Sequence, residues 1–582
     1  MKQSLKGLPS SGLILPNFLE WNPQLFREFK GKLKTRNIII TAAISVITQF
    51  LLAISFLGQL PEPITDPLNI GRQYSRYCAT TVNYYDRNPL CQTDLANNWL
   101  INWQLLWFDL FVALSFVGIF SLLVIGTYML ITDMVKEETR GTLNFIRLTP
   151  QSANSVLFGK ILGVPLLLYL GVLLAFPLHL AAGLGAKISL SLILGFDGVI
   201  IASCAFFYCA AMVWSLLNSG LSGFKPWLAG GAIFVFLFAF GTQLLSGYSH
   251  IGNYTFDGFI LFHPGVVLSY LAEATALPQK SISLLDSQEL GELLFYGQSL
   301  WTKASLGIGF VLFNFGLWTY WLWSVLKRRF HNPQSTLLSK TQSYWLTGWF
   351  VFMTLGFTLQ VMDTGRRYHH SISQLDSNFM MLQLLMVIFF LGLIAALSPH
   401  RQSLYDWARY RHQQQKDGHR LWKELVFGEN SPATIAIAIN LLIALTYITP
   451  SLLFFSDCSD SVTTFWGLLI GANMILFYSA IAQLMLTMKH QKRSIWTTTT
   501  VLAAIILPLV CFAIGDIQPS YEPGLWLFSF MPLVSAMHAP FSTVIMSILG
   551  QWLAIAATGF YLTKKLNKAG ASETKMLFGE SN

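Results

Sequence analysis

The chain has 582 residues, 53% of them hydrophobic and 11% charged, with a formal net charge of +9 and a mean hydropathy of +0.52. Soluble domains carry roughly 25% charged residues, so the composition excludes a soluble enzyme and points to an all-α polytopic membrane protein. The basic residues sit in short segments between apolar runs, the pattern of cytoplasmic loops rather than of a nucleic-acid surface.

Residues 1–36 read as a basic cytoplasmic leader. Within it Leu25, Phe26, Phe29 and Leu33 share one helical face, which predicts an amphipathic helix lying in the membrane interface. The first apolar run begins only near Asn37, so no cleavable signal peptide is expected. A span needs about 20 apolar residues. Twelve runs qualify: 38–57, 105–132, 161–185, 188–217, 227–247, 303–326, 345–362, 379–397, 432–455, 463–488, 496–516 and 541–563. An even number puts both termini on one side, and the positive-inside bias makes that side the cytoplasm.

Between the first two runs, residues 58–103 form the largest external loop, long enough for a small folded cap. Its Cys78 and Cys91 are free to pair in an oxidising compartment, but two loop cysteines do not require it. After the second run comes a polar strip, 133–160. Thr142 to Arg147 predicts a short helix stopped by Thr149-Pro150, and Ser152 or Asn154 is placed to cap the next one. Residues 248–302 hold an apolar stretch broken at His263-Pro264-Gly265, which predicts a re-entrant hairpin in which His263 satisfies backbone rather than carrying protons.

A linker at 327–344 separates two halves, 37–326 and 345–563, and residues 564–582 read as a short cytoplasmic tail. The halves run in parallel. The basic loop 398–431 stands where 133–160 stands in the first half, and FSFMPLVSAMHAP stands where FHPGVVLSYL does.

The strip 133–160 resembles the coupling segment of ABC-2 type transporter permeases through Glu137, Gly141, Thr142, Leu143, Pro150, Gly159 and Lys160. Glu138 lies beside Glu137, while Thr139 stands where the family often has a second acid. Asn22, Pro23, Arg27 and Glu28 add to the resemblance, since similar permeases carry NP-x-L-x-R-E before the first span. The resemblance covers about 20–330 well and 345–563 weakly. It implies two six-helix ABC-2-like halves in a multi-pass protein of the plasma (inner) membrane, with both termini cytoplasmic. It also implies a permease subunit, commonly an exporter of lipids, glycans, drugs or peptides, driven by separate ABC ATPase subunits that push the coupling segment. The transported substrate is left open. Trp422, Lys423 and Glu424 are a second coupling strip by position only, and anionic lipid is an equal reading for them.

No G-x-x-x-x-G-K-[ST], H-E-x-x-H, G-x-S-x-G or Cys/His cluster occurs, so no catalytic site, metal site or bound cofactor is expected, and ATP would be hydrolysed by the partner. The alternatives are an ion-coupled twelve-span secondary transporter, a non-transporting scaffold for an ATPase and a membrane-embedded enzyme acting on lipids. Ion coupling would rest on Asp109, read as solvated near the external interface, and on the intramembrane candidate Asp197, neither with an embedded Lys or Arg partner.

Overall fold

The computed structural model describes residues 22–62, 76–79, 91–95, 98–217, 223–245, 254–275, 290–360, 374–413, 418–454 and 461–579. Most of the leader, much of the 58–103 loop, Cys458 and the end of the expected 345–362 span therefore lie outside the described residues.

The fold is all-α. Among the described residues, eleven helices are long and apolar enough to cross a bilayer. They are α2 (Thr35–Leu57), α3 (Trp103–Thr139), α6 (Leu166–Gly185), α7 (Leu190–Leu216), α8 (Lys225–Leu245) and α10 (Ala304–His331), then α12 (Gln374–Leu397), α15 (Thr434–Phe454), α16 (Ser461–Leu486), α17 (Arg493–Ile514) and α20 (Phe541–Gly579). The remaining expected span is helical as α11 (Lys340–Thr358), but it opens on Lys340, Gln342 and Ser343 and is not among the eleven. Shorter helices are α1 (Pro23–Lys32), α4 (Thr142–Arg147), α5 (Ala153–Gly163), α9 (Val266–Ala274), α13 (Arg401–Gln413), α14 (Gly418–Phe427), α18 (Pro523–Trp526) and α19 (Leu533–Ala536). The hairpin expected around His263 is a broken pair, Thr255–Phe262 and Val266–Ala272, bent by 88°.

The chain divides into two compact units, the first mainly 1–249, 261–290 and 304–331, the second mainly 332–582. Inside the first, α2 packs along α6, α10 along α7, and α3 against α7, with α9 touching α7. Inside the second, α11 packs along α15, α20 along α16, and α12 against α16, with α19 on α16. In each unit the first long helix thus lies on the third, the sixth on the fourth and the second on the fourth.

Lipid offers no hydrophobic drive between helices, so close packing and interhelical hydrogen bonds hold such bundles. In the second unit Gln383 of α12 donates to the Gly467 carbonyl of α16 at 3.1 Å and accepts from the Leu533 N–H of α19 at 3.2 Å. Asn440 of α15 accepts from Thr347 at 2.8 Å and donates to Ser343 at 2.9 Å, tying α15 to α11. In the first unit α3 contains a π turn, Ser121–Ile125. Tyr208 of α7 donates to the Leu122 carbonyl at 2.7 Å, and Gly126 is the residue whose missing Cβ makes room for that ring.

Two expected boundaries move. Only 332–339 separates the helices at the expected linker, because α10 runs on to His331 and Ser339 caps α11 with a reciprocal bond to Gln342. The tail is no loose end, since α20 continues for 39 residues to Gly579. Within the described part of the 58–103 loop, Cys78 and Cys91 are disulfide-bonded, and bridges join Cys78 to Ile101 and Thr93 to Trp99.

Candidate functional site

The site is assembled from α1, the end of α3, α4 and α5. Asn22 starts α1 by accepting from the N–H groups of Gln24 and Leu25 at 3.1 and 3.2 Å, with Pro23 in the first turn where its missing N–H is harmless. The same side chain donates to the Ser155 carbonyl of α5 at 2.7 Å, so the cap also docks the helix. Glycines let the two backbones approach. A Cβ on Gly159 would lie 2.9 Å from Asn22 Oδ1 and from Gln24 Cβ, and one on Gly163 would lie 2.5 Å from Glu28 Cβ. At the far end Lys32 donates to the carbonyls of Gly163 and Val164 at 3.2 and 2.7 Å, closing the C-terminus of α5.

The amphipathic helix is therefore turned with its polar edge inward. Gln24 and Glu28 are buried against α5 beside Leu25, whereas Phe26 and Leu33 are each 42% exposed. The outward apolar residues are those expected to meet the membrane interface.

Charge ties this pair to α3. Arg27 reaches Glu137 at 2.5 Å, Glu137 reaches Lys160 at 2.7 Å, and Lys160 reaches Asp133 at 2.6 Å. Glu28 adds bonds to Arg27 at 3.4 Å and Lys32 at 3.1 Å. The Lys160 side chain is 1% exposed, so its two carboxylates neutralise it in low dielectric. Burial works against the Arg27 charge, but Glu137 and then Glu28 outweigh it and hold its pKa above the ordinary value. Asp133 went unread in the sequence, although it lies one turn before Glu137 on the same helical face.

Beyond this cluster the chain turns at Gly141, whose φ of 72° suits glycine. Thr142 donates to the Glu137 carbonyl at 3.2 Å, and α4 follows over the expected residues. Leu143 and Ile146 anchor α4 in a core with Met134, Val156, Leu157, Met212, Leu326 and Phe330. The other side of the turn carries Phe145 at 73% and Leu148 at 86% exposure, with Pro150 exposed after it. Ser152, not Asn154, caps α5, accepting from Ser155 N–H at 3.2 Å. Glu138 is half-buried, and its charge acts on Arg147 and Lys225.

The second strip is built differently. Trp422 is 65% exposed and Lys423 is exposed, while Glu424 accepts from the Trp407 indole at 3.0 Å and joins α14 to α13. The buried cation of this region is Lys340, unread in the sequence. It donates to the Leu425 carbonyl at 2.7 Å, Ser431 Oγ at 2.6 Å and the Pro432 carbonyl at 3.1 Å, and burial pushes its pKa down to about 8.

The intramembrane acids also differ from expectation. Asp109 is not solvated: it is fully buried, bound by Arg76 at 2.9 Å and by the Tyr77 hydroxyl at 3.0 Å, both from the 58–103 loop. Asp197 lies 3.9 Å from His179 of α6, a neighbour the sequence did not reveal. His263 accepts from the Gly265 N–H at 3.0 Å and faces the Leu237 carbonyl at 3.2 Å, the backbone role expected of it. Among the described residues no cluster of three or more His, Cys, Asp or Glu is placed to hold a metal.

Comparison of the chain with family models, curated proteins and solved structures returns no match.

Proposed function

We propose that this chain is the permease subunit of an ABC transporter, an exporter whose translocation pathway is driven by ATPase subunits on other chains. The observation that carries the reading is the meeting of two distant segments that share the ABC-2 resemblance. Asn22, Arg27 and Glu28 of the first lie against Glu137, Gly159 and Lys160 of the second in one ion-paired assembly. Beside that assembly, the apolar core of Met134, Val156 and Leu157 holds α4 by Leu143 and Ile146 and leaves Phe145 and Leu148 outward, the geometry of a handle anchored from behind. Apolar side chains presented at the tip of an otherwise anchored turn are suited to a pocket on a soluble partner. In this reading both termini and the 133–160 strip are cytoplasmic in the plasma membrane, and Trp422 and Lys423 form a second, weaker contact. The export substrate is unassigned.

The test is purification of the full chain from its host in mild detergent, scored for a co-purifying P-loop ATPase. Retention by the wild type and loss in Phe145→Asp with Leu148→Asp, at unchanged melting temperature, is the expected result. An ATPase held equally by both proteins refutes the assigned contact, and no ATPase with either refutes the permease reading.

A further inference from the structure

Ser115 of α3, His179 of α6 and Asp197 of α7 meet inside the first unit, at the opposite end of α3 from the Glu137 cluster. His179 lies six residues before the end of α6, about 9 Å at the helical rise. Its ring is stacked on Phe111 at 4.4 Å between centroids, with Phe196 at 6.3 Å.

The hydrogen count of this group is informative. The Ser115 hydroxyl donates to the Phe111 carbonyl at 2.7 Å, which leaves its oxygen as an acceptor for His179 Nε2 at 3.1 Å. With the ring proton on Nε2, a neutral His179 presents the lone pair of Nδ1 to Asp197 Oδ1, 3.9 Å away. Two acceptors then face each other with no hydrogen between them. The other carboxylate oxygen, Oδ2, is buried with no hydrogen-bond partner among the described residues. A serine hydrolase constellation is excluded, because Ser115 is 2% exposed and its proton is already given to Phe111.

We propose that His179 and Asp197 form a proton-binding site that takes up one proton and draws α6 and α7 together. The proton comes from water, forms the Nδ1–H bond on His179 and makes an imidazolium–carboxylate pair. That pair shortens from 3.9 Å towards the roughly 2.8 Å of a charge-assisted hydrogen bond. It removes a lone carboxylate charge from a low-dielectric setting, and the Phe111 face favours the cation. Lys187, in the turn joining α6 to α7, is exposed, and no other charge competes from the neighbouring helices. Residues 37–57 of α2, 226–245 of α8 and 304–326 of α10 contain no Asp, Glu, Lys or Arg, and within α7 the only one is Asp197. Asp109 on α3 is committed to Arg76 and Tyr77, and His263 to backbone groups. Cys204 and Tyr208 lie two to three turns further along α7. The sequence clue was His179 itself, a lone imidazole two residues after Pro177 in an apolar helix.

The experiment is infrared difference spectroscopy of the full chain in lipid nanodiscs, stepped from about pH 8 to about pH 5, the window of imidazole titration. Wild type is expected to gain imidazolium bands and perturb one carboxylate stretch. Asp197→Asn, nearly isosteric, is expected to lose the carboxylate response, and His179→Gln the imidazolium response. Ser115→Ala leaves both groups in place and is expected to keep both responses with a shifted midpoint. A wild-type spectrum without these bands, or the same bands in Asp197→Asn and His179→Gln, overturns the proposal. An unshifted Ser115→Ala midpoint overturns the role given to Nε2.

Discussion

Replacing Lys160 with Met removes the cation that joins Asp133 and Glu137 while keeping the length of the side chain. In the wild type both carboxylates lie within 2.7 Å of its nitrogen, which is 1% exposed at the side-chain level. Removing one partner of a buried ion pair costs about 3–5 kcal/mol, because the remaining charges stay desolvated. The lower end applies here, since the Asp133 side chain is 28% exposed and can take up water, and Arg27 still holds Glu137. About 3 kcal/mol corresponds to roughly a 100-fold change in an opening equilibrium. The effect is local: α5 loses its tie to α3, and α1 is held largely through α5. Hydrogen exchange with peptide-level mass spectrometry reads this directly. Peptides covering 23–32 and 153–163 are expected to lose about 100-fold in protection, while those covering α16 and α20 remain unchanged. Combination with Glu137→Gln should be less than additive, as for any two members of one network. Unchanged exchange at 23–32 in Lys160→Met would refute the ion cluster as the fastener of α1.

Gly163→Val puts a side chain where Glu28 Cβ already lies 2.5 Å from the glycine's missing Cβ, so α1 should be expelled and 23–32 should become cleavable by added protease. Gly141→Ala meets no atom within 4 Å, and its effect should come only from the left-handed φ of 72°, about 1 kcal/mol, readable as a small fall in melting temperature with Asn tolerated better than Ala. Lys340 has its folded pKa lowered to about 8 from an ordinary 10.5, so burial penalises its charged form below that value. Between about pH 8 and 10.5 the unfolded chain binds the extra proton, so stability rises with pH in this window, by up to about 3 kcal/mol. The difference in unfolding free energy between wild type and Lys340→Met should show that rise, and a flat difference would remove Lys340 as its source.

The helical class and most span positions were legible because twenty-residue apolar runs admit few alternatives in a bilayer. Thr142–Arg147 was equally legible, since Pro150 follows it in a polar strip, where a proline ends a helix more readily than Pro177 does inside the long apolar α6. What misled was periodicity without a partner. The pattern of Leu25, Phe26, Phe29 and Leu33 identifies an apolar face, but it does not say that Gln24 and Glu28 are the residues buried by α5. A helix end set by loop composition also proved unreliable: the basic run after Leu326 looked like linker, yet Arg328, Arg329 and His331 close the last turn of α10, where cations complement the helix dipole. Asp109 was misplaced because its partners, Arg76 and Tyr77, come from a loop whose folding depends on contacts far apart in sequence. His179 and Asp197 are 18 positions apart on separate helices, and only the packing of α6 on α7 brings them face to face.

The π turn in α3 has a consequence for how its two ends relate. A π turn is in effect an α-helix carrying one surplus residue, and each residue in an α-helix advances the azimuth by about 100°. Asp109 lies before the turn and Glu137 after it, each locked by its own partners. Deleting one residue from Ser121–Ile125 would therefore leave the two ends in phase, whereas rewinding the same residues as plain α-helix would swing one of the two carboxylates about a quarter-turn or more away from its cations. The bulge thus sets the phase between the two ends of α3, and Tyr208, by occupying the Leu122 carbonyl, keeps that phase from relaxing.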